Sequence, residues 1–357
     1  MRAGRKTIIY GFQGDGRGHL SRAAVLVREL AKHHDILLLT SELTKGKLSD
    51  ELRHQPGVSI SDDMFSPRLY FRKNRISIFK TILMTVASVL WKGIPSLLRG
   101  LWIYLRCRPE LIISDLEPIS AWLARITGAR FLSVDHQHIL TDCELEFPAE
   151  FRKDHWSASF MVKFLAPGGG THLISSFFFP PIKTEGAHLF KPILRREIIR
   201  AADAVEEGDF ILVYQTTSTT FEMLDRVLKQ IASERFVVYN MGRAYLDGNV
   251  EYREVSVDGF IRDLASCKAV LCNGGYTLIS ESLFLGKPVL SIPIVNSFEQ
   301  ILNSVYLDRL GYGQFSREFS AAEIRRFVGR LDRFKANIGK DDFCGNREIV
   351  DFLLANV

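Results

Sequence analysis

The stretch GFQGDGRGHLSRAAVLVREL, residues 11–30, decides how the rest of the chain is read. It overlaps KTIIYGF, residues 6–12, a short apolar run with the character of a buried strand. It passes into LSRAAVLVRELAKHH, residues 20–34, whose apolar positions recur at helical spacing, and DILLLTS, residues 35–41, reads as a second strand. Glycines between a strand and a helix let the backbone turn tightly and approach a ligand, and the start of the helix favours an anion. A dinucleotide fingerprint needs G-x-G-x-x-G. Here Gly14, Gly16 and Gly18 have a G-x-G-x-G spacing, one residue short. The second strand also lacks an acidic residue at its tip to hold a ribose, since Glu42 comes two residues later. A dehydrogenase is therefore the poorest fit, and a pliable turn without a ligand stays open. His19 stands at the mouth of the loop, and histidine titrates near neutrality, as a general base requires.

The same β-loop-α-β grammar continues outward. PELIISD (109–115), ARFLSVD (129–135) and THLISSFFFPP (171–181) read as further strands, the first two closing on Asp115 and Asp135. HLFKPILRREI (188–198) mixes a proline with charges and reads as a link between domains. A second series comes after it: strands in DFILVYQ, RFVVYN, KAVLCN and PVLSIPI alternate with helices in TTFEMLDRVLKQIA, FIRDLASC, TLISESLFLG and SFEQILNSVYLDRLG. Strand and helix alternating through both halves predict two doubly wound, Rossmann-like α/β domains facing across a cleft. The expected boundaries are an N-terminal acceptor-binding domain over 1–190 and a C-terminal nucleotide-sugar domain over 191–335. A helical tail over 336–357 has the N-terminal domain as one place to pack.

A length of 357 residues suits two cores, and 46% hydrophobic with 24% charged is ordinary globular composition. The N-terminal apolar run leads straight into the glycine loop without a small-residue cleavage site, so it reads as a strand and not as a signal peptide. Cys107, Cys143, Cys267, Cys272 and Cys344 are scattered and odd in number, with no C-x-x-C, which argues against a disulfide scaffold and a zinc site and for a reducing cytoplasm. SDD, residues 61–63, comes after no clear strand and is not a convincing metal motif; no metal and no nucleic-acid partner are expected.

The net charge of +5 is modest, but no acidic residue occurs between Asp63 and Glu110, while nine Lys and Arg do. The segment 64–108 is thus basic, aromatic and partly apolar, as a membrane-surface patch would be. Its longest charge-free run, Thr81 to Trp91, is too short to cross a bilayer. One or two core helices with solvated basic edges fit the same composition. HWSASFMVKF, residues 155–164, extends such a patch or simply packs.

The second half carries CNGGYTLISESLFLGKPVLSIPIVNSFEQ, residues 272–300. Asn273-Gly274-Gly275 ends a strand and opens a helix, a second anion cradle. Glu281 lies one turn after Thr277 on that helix, placed to accept ribose hydroxyls. Glu299 and Gln300 open the next helix and suit sugar hydroxyls, although Ser297-x-x-Gln300 is also a capping box.

Those residues, with LGYG beyond them and GDGRGHLSR at the start, resemble nucleotide-sugar glycosyltransferases of the GT-B fold, near the UDP-glycosyltransferases and the MurG-type transferases. The nearest group is a poorly characterised bacterial and archaeal set. The resemblance implies that Gly274, Gly275 and Thr277 lie by a diphosphate, Glu281 binds ribose, and Glu299 and Gln300 bind the donor sugar. It implies uracil recognition by the backbone near Phe260 and Ile261, in VDGFIRDL, and phosphate contact by Thr216, Thr217 and Ser218, where QTTST departs from a more glycine-rich loop. His19 matches the family's base, and Asp115 is the candidate to orient it.

The expected reaction is an inverting, metal-independent transfer of a hexose or N-acetylhexosamine from a UDP-sugar, a substrate and not a cofactor. The acceptor is a hydroxyl, expected on a polyprenyl- or other lipid-linked molecule at the inner face of the plasma membrane. Asp135, His136 and His138, in DHQHILTD, are candidates for its side of the site; a helix cap and loop explain them as well. A non-catalytic nucleotide-sugar-binding subunit and a UDP-sugar 2-epimerase are the alternatives.

Overall fold

The computed structural model describes the chain apart from residues 1–3, 15–16, 42–43, 45–47, 49, 62, 68–70, 73–74, 77, 168, 204–206, 216–220 and 243. The elements of the first half run β1 (Thr7–Phe12), α1 (Arg17–Leu30), β2 (Asp35–Leu39), α2 (Asp50–Arg53), β3 (Val58–Ser61), β4 (Phe71–Arg72), β5 (Arg75–Ile76) and α3 (Ile78–Ser88). After a π-helical turn over Val89–Gly93 come α4 (Ile94–Cys107), β6 (Leu111–Asp115), α5 (Pro118–Thr127), β7 (Phe131–Asp135), α6 (Ile139–Asp142), α7 (Arg152–Leu165), β8 (Thr171–Ser175) and β9 (Ala187–Phe190). The second half runs α8 (Arg196–Ala202), β10 (Ile211–Tyr214), α9 (Phe221–Lys229), β11 (Phe236–Tyr239), β12 (Tyr245–Asp247), β13 (Val250–Arg253), α10 (Val257–Ser266) and β14 (Ala269–Cys272). It closes with α11 (Tyr276–Phe284), β15 (Val289–Ser291), α12 (Phe298–Arg309), β16 (Gly313–Phe315), α13 (Ala321–Val328), α14 (Leu331–Ile338) and α15 (Asn346–Ala355).

The chain forms two compact units, Met1–Tyr70 with Ser77–Arg195 and Cys344–Val357, and Phe71–Ile76 with Arg196–Phe343. The first holds a seven-stranded sheet in the order β3-β2-β1-β6-β7-β8-β9, parallel throughout. The second holds another in the order β12-β13-β11-β10-β14-β15-β16, parallel except for the β12–β13 edge pair. Each is a doubly wound α/β sheet, so the sequence grammar is matched twice. In such sheets the strand order reverses at one point, and ligands bind outside the carboxyl ends of the strands there. The reversal lies between β1 and β6 in the first unit and between β10 and β14 in the second.

Strands buried on both faces need continuous apolar runs, and TIIYGF of β1 is buried along nearly its whole length. Ile8, Tyr10 and Phe12 enter one core with Leu26 and Leu30 of α1. Ile349 and Leu353 of α15 join that same core, although most of the second unit separates them in sequence. On the other face, an added Cβ at Gly11 would stand 2.2 Å from Ser120 Oγ of α5, so only glycine lets β1 and that helix approach so closely. The second core centres on Ile211 and Val213 of β10 with Leu228, Phe236, Leu271, Ile324 and Phe327.

The stretch read as an interdomain link contains the change of unit, between Arg195 and Arg196, though it begins inside β9, which pairs parallel with β8. One local reading is corrected. SDD does come after a strand: β3 ends at Ser61, and its alternating, half-exposed edge position made its apolar signal weak.

Candidate functional site

In the first unit, β1 and β6 end side by side, with Phe12 level with Asp115. The Gln13 amide then donates to the Asp115 carbonyl at 3.3 Å, which ties the loop to the reversal point. Beyond the loop, α1 places Gly18 and His19 in its first turn. Gly14 is buried, Gly18 is partly exposed, and Gly16 lies outside the described residues. Asp115 is the last residue of β6, and Leu116 turns the chain sharply at φ +51°, a left-handed conformation costly for a branched side chain. Glu117 caps α5 by accepting from the Ile119 and Ser120 amides at 2.9 and 2.6 Å, and Pro118 fills the first helical position. Strand end, elbow and capped helix together leave the Asp115 carboxylate little freedom.

His19 Nδ1 lies 2.7 Å from Asp115 Oδ1. A carboxylate oxygen only accepts, so Nδ1 is the donor in this contact. Asp115 is fully buried, and the His19 side chain is 12% exposed. A third residue completes the arrangement. Arg22, one turn along α1, donates from Nε to Asp115 Oδ2 at 3.1 Å and from Nη2 to Oδ1 at 2.8 Å. The same Nη2 lies 3.1 Å from His19 Nδ1. A buried carboxylate thus has a two-pronged guanidinium partner on one side and an imidazole on the other. Arg22 was not singled out from sequence, yet the spacing in GHLSR puts it on the His19 face of the helix. Beneath the trio the Tyr10 hydroxyl is buried with no hydrogen-bond partner among the described residues, and burial, with the nearby Asp115 charge, holds it well above the ordinary phenol range. Burial likewise pushes the Glu117 carboxyl up to about 7, against the lowering effect of the two amides it caps.

Asp135, His136 and His138 are all buried. His136 Nδ1 donates to the Ser175 carbonyl at 2.9 Å. His138 Nδ1 stands 2.7 Å from Asp135 Oδ2, and its amide donates to Asp135 Oδ1 at 2.9 Å. Ser133 Oγ donates to the same carboxylate. His172 of β8 repeats the motif with Asp142 at 2.6 Å, and its ring lies 4.1 Å from that of His138. Burial works against both charged forms, but the charge and hydrogen bond of Asp135 raise His138, and His138 with Ser133 holds Asp135 well below the usual carboxylate range.

In the second unit, β14 ends at Cys272, level with Tyr214 of β10. Asn273 donates from Nδ2 to the Ile292 carbonyl at 3.1 Å and to Gln215 Oε1 at 3.4 Å, which pins the strand end. Gly274 has φ +83°, and a Cβ there would meet Ser291 Oγ at 2.7 Å and Ser304 Oγ and the Gln300 carbonyl at 2.9 Å. Asn303 Nδ2 donates to its carbonyl at 3.1 Å. Gly275 then serves as N-cap of α11 without a side-chain cap, and a Cβ on it would meet nothing within 4 Å. The space beside Gly275 at the start of α11 is therefore open, and a helix start is where an anion is favoured. Thr277 is partly exposed, and Glu281, one turn on, is buried. Glu299 and Gln300 are partly exposed at the start of α12. No capping box forms there: Ser297 makes no side-chain cap, and Gln300 Oε1 accepts from the Ile294 amide at 2.9 Å. Ile261 is buried, whereas Phe260 is partly exposed, its ring edge-on to Tyr214 and Tyr239 with both centroids at 5.3 Å. Thr216, Thr217 and Ser218 lie outside the described residues.

Two doubly wound sheets, each with a glycine-opened helix at its reversal point, are the GT-B class of fold. The model of glycosyl transferase family 1 matches residues 6–332, and the chain belongs to that family. A kitacinnamycin glycotransferase superposes with a TM-score of 0.70 at 16% identity, covering 98% of each chain. A UDP-glucosyltransferase from Polygonum tinctorium capable of glucosylating indoxyl gives 0.66 at 16% identity, over 99% of this chain and 98% of its own. A UDP-N-acetylglucosamine--N-acetylmuramyl-(pentapeptide) pyrophosphoryl-undecaprenol N-acetylglucosamine transferase of Bacillus cereus is 31% identical over 101 residues. That match spans 28% of the curated relative's length and 26% of this chain.

Proposed function

We propose that the protein is an inverting, metal-independent glycosyltransferase that moves a hexose or N-acetylhexosamine from a UDP-sugar to a hydroxyl on a lipid-linked acceptor. The observation that carries the reading is His19, held by Asp115 at 2.7 Å at the reversal point of the first sheet. With Nδ1 donating to the carboxylate, Nε2 takes the proton of the acceptor hydroxyl as its oxygen attacks the anomeric carbon. The bond from that carbon to the diphosphate breaks with inversion, and UDP leaves with the electron pair. Asp115 steadies the imidazolium that forms. Arg22 offsets the charge of Asp115 and holds the carboxylate in place through two hydrogen bonds. The Gly274–Gly275 turn and the first amides of α11 receive the diphosphate, whose charge grows as it departs. Glu281, Glu299 and Gln300 are assigned to the ribose and the donor sugar, and the backbone near Phe260 to the base. No step is routed through a metal.

The Bacillus cereus relative supports the choice of donor and acceptor, since its name carries both UDP-N-acetylglucosamine and pyrophosphoryl-undecaprenol. We assign the protein to the cytoplasm, peripheral on the inner face of the plasma membrane through segment 64–108. Among the described residues no helix is long and apolar enough to cross a membrane.

Calorimetric titration with UDP, UDP-sugars, other nucleoside diphosphates and NAD tests the donor, with Glu281→Ala as control. UDP compounds alone should bind, and the variant should lose them. Binding of NAD in place of UDP would overturn the reading. His19→Ala separates an enzyme from a binding subunit: it should keep the donor and lose turnover.

A further inference from the structure

The chain has four tryptophans, Trp91, Trp102, Trp122 and Trp156. All four are exposed, by 84, 59, 36 and 71%. Tryptophan is ordinarily among the most buried residues on average, so four of four at the surface is a pattern that folding alone does not produce. All belong to the first unit, in the π-helical turn, α4, α5 and α7.

α4 is amphipathic the wrong way round for a helix on a soluble core. Its buried positions are Ser96, Gly100 and Ile103, only one of them a large apolar side chain: Ser96 Oγ accepts from the Phe65 amide at 2.9 Å, and Gly100 sits against Ile119 of α5. Its exposed face, with the turn before it, carries Trp91, Ile94, Leu98, Trp102 and Leu105, spaced i, i+3, i+7, i+11 and i+14 along one stripe. α5 adds Trp122 and Ile126, both exposed. α7 adds a ladder in which Trp156, Phe160 and Phe164 stack at 6.0 and 6.5 Å. Trp122 Nε1 donates to the Phe164 carbonyl at 3.0 Å, so the α5 and α7 apolar surfaces are continuous. The charge on these elements is predominantly positive. Lys or Arg occurs once in the π turn, twice on α4, once on α5 and three times on α7, against a single acidic residue, Asp154. Arg106 lies over the Trp102 ring at 5.2 Å, and Arg99 pairs with Asp63.

We propose that α4, α5 and α7 form one docking face for an anionic lipid surface, with the four tryptophans at the depth of the headgroups and the basic side chains among the phosphates. Tryptophan suits that depth because its ring is apolar and its N–H stays wet, and Lys and Arg stems lie along apolar surface while their heads reach the charge. The choice of a membrane as partner rests on the lipid-linked acceptor proposed above; the extent of the face, on α5 and α7 beyond segment 64–108, does not. The occupant is a bilayer because the face joins exposed aromatics to an excess of positive charge, seven Lys and Arg on these elements against Asp154, which a second copy of the same basic face would repel.

The protein reports on its own docking, since every tryptophan lies on the face. Intrinsic fluorescence is followed with the full chain and vesicles of phosphatidylcholine alone or mixed equally with phosphatidylglycerol. The vesicles contain no sugar acceptor and no nucleotide. The emission should shift to the blue on mixed vesicles, be quenched by lipids brominated along the acyl chain, and weaken as salt rises. Trp156→Ser with Phe160→Ser should reduce partitioning about tenfold. Lys92→Glu with Arg106→Glu should abolish the preference for the anionic lipid. Both pairs are solvent-exposed, and circular dichroism checks that each variant is folded. Absence of any shift, equal binding to neutral vesicles, or wild-type partitioning of the Trp156 and Phe160 variant overturns the proposal. Concentration-dependent self-association that vesicles do not relieve overturns it in favour of a second copy. Vesicle binding without sugar transfer would break the transferase reading alone, and transfer to a soluble acceptor without vesicle binding would break this one alone.

Discussion

The first unit contains two His–Asp pairs of the same local geometry and opposite consequence. His19 meets Asp115 at 2.7 Å, and His138 meets Asp135 at 2.7 Å, each through Nδ1. Their strands, β6 and β7, are neighbours, with Ser114 level with Ser133. Asp115 and Asp135 each lie at a strand end but leave opposite faces of the sheet, because one is an odd step from that level and the other an even one. The difference is in what surrounds each pair. His19 keeps a partly exposed ring and shares its aspartate with Arg22, so the pair carries a spare counter-charge. His138 is sealed, and its aspartate otherwise depends on a hydroxyl and one amide. A hydrogen-bonded pair alone therefore does not distinguish the two sites; the reversal point, the partly exposed ring and the second partner of the carboxylate do, and they are why the reaction is proposed at His19.

The sharpest way to break this contrast is to make one substitution in both places. His19→Ala should lower turnover roughly a thousandfold, the scale of a lost general base, while its melting temperature stays near wild type because Arg22 still pairs with Asp115. Single-turnover transfer and calorimetry measure the two halves of that statement. His138→Ala should do the reverse: it leaves Asp135 buried and unpaired and should cost about 3–5 kcal/mol in denaturant unfolding, with kcat per folded molecule retained. Equal stability losses at both positions would erase the distinction.

Glu117 sharpens it through pH. Its carboxyl titrates at about 7 in the fold and near 4.5 in the open chain. The folded state thus holds a proton that the unfolded state has released, so this contribution is complete below pH 4.5 and is lost as pH rises to 7. The unfolding free energy of the wild type relative to Glu117→Gln should fall by about 3 kcal/mol between roughly pH 4.5 and 8. A flat difference would mean that the elbow beside Asp115 is neutral to pH. Arg22→Met gives the smallest effect, a fall in kcat of about tenfold. Steady-state kinetics of the variant measures it, and an unchanged kcat would reduce Arg22 to packing.

Much of this was legible in the sequence because glycines and apolar runs act locally. GFQGDGRGHL and CNGGYTL each lie between a strand and a helix, and both folded into the reversal points of their sheets. The juxtaposition of His19 with Asp115 came from family resemblance, since no local signal joins residues 96 positions apart. Arg22 was within reach of the helical spacing but needed the carboxylate in view to gain meaning. His172 could not be linked to His138 before β7 and β8 were paired. Ser297-x-x-Gln300 misled because a capping box is a pattern of residue types, and Gln300 found the Ile294 amide first. The basic window was visible as composition, but its buried stripe of Ser96, Gly100 and Ile103, and with it the direction its aromatics face, depends on α5.

α15 carries a consequence for biosynthesis. The first unit's core includes Ile349 and Leu353, which leave the ribosome only after the whole second unit has been made. Limited proteolysis of a chain stopped at Phe343 should therefore find α1 and β2 cut readily while β10 to β16 resist; equal resistance would show that α15 adds nothing to the core. The first core is thus completed by residues that are synthesised after the second unit.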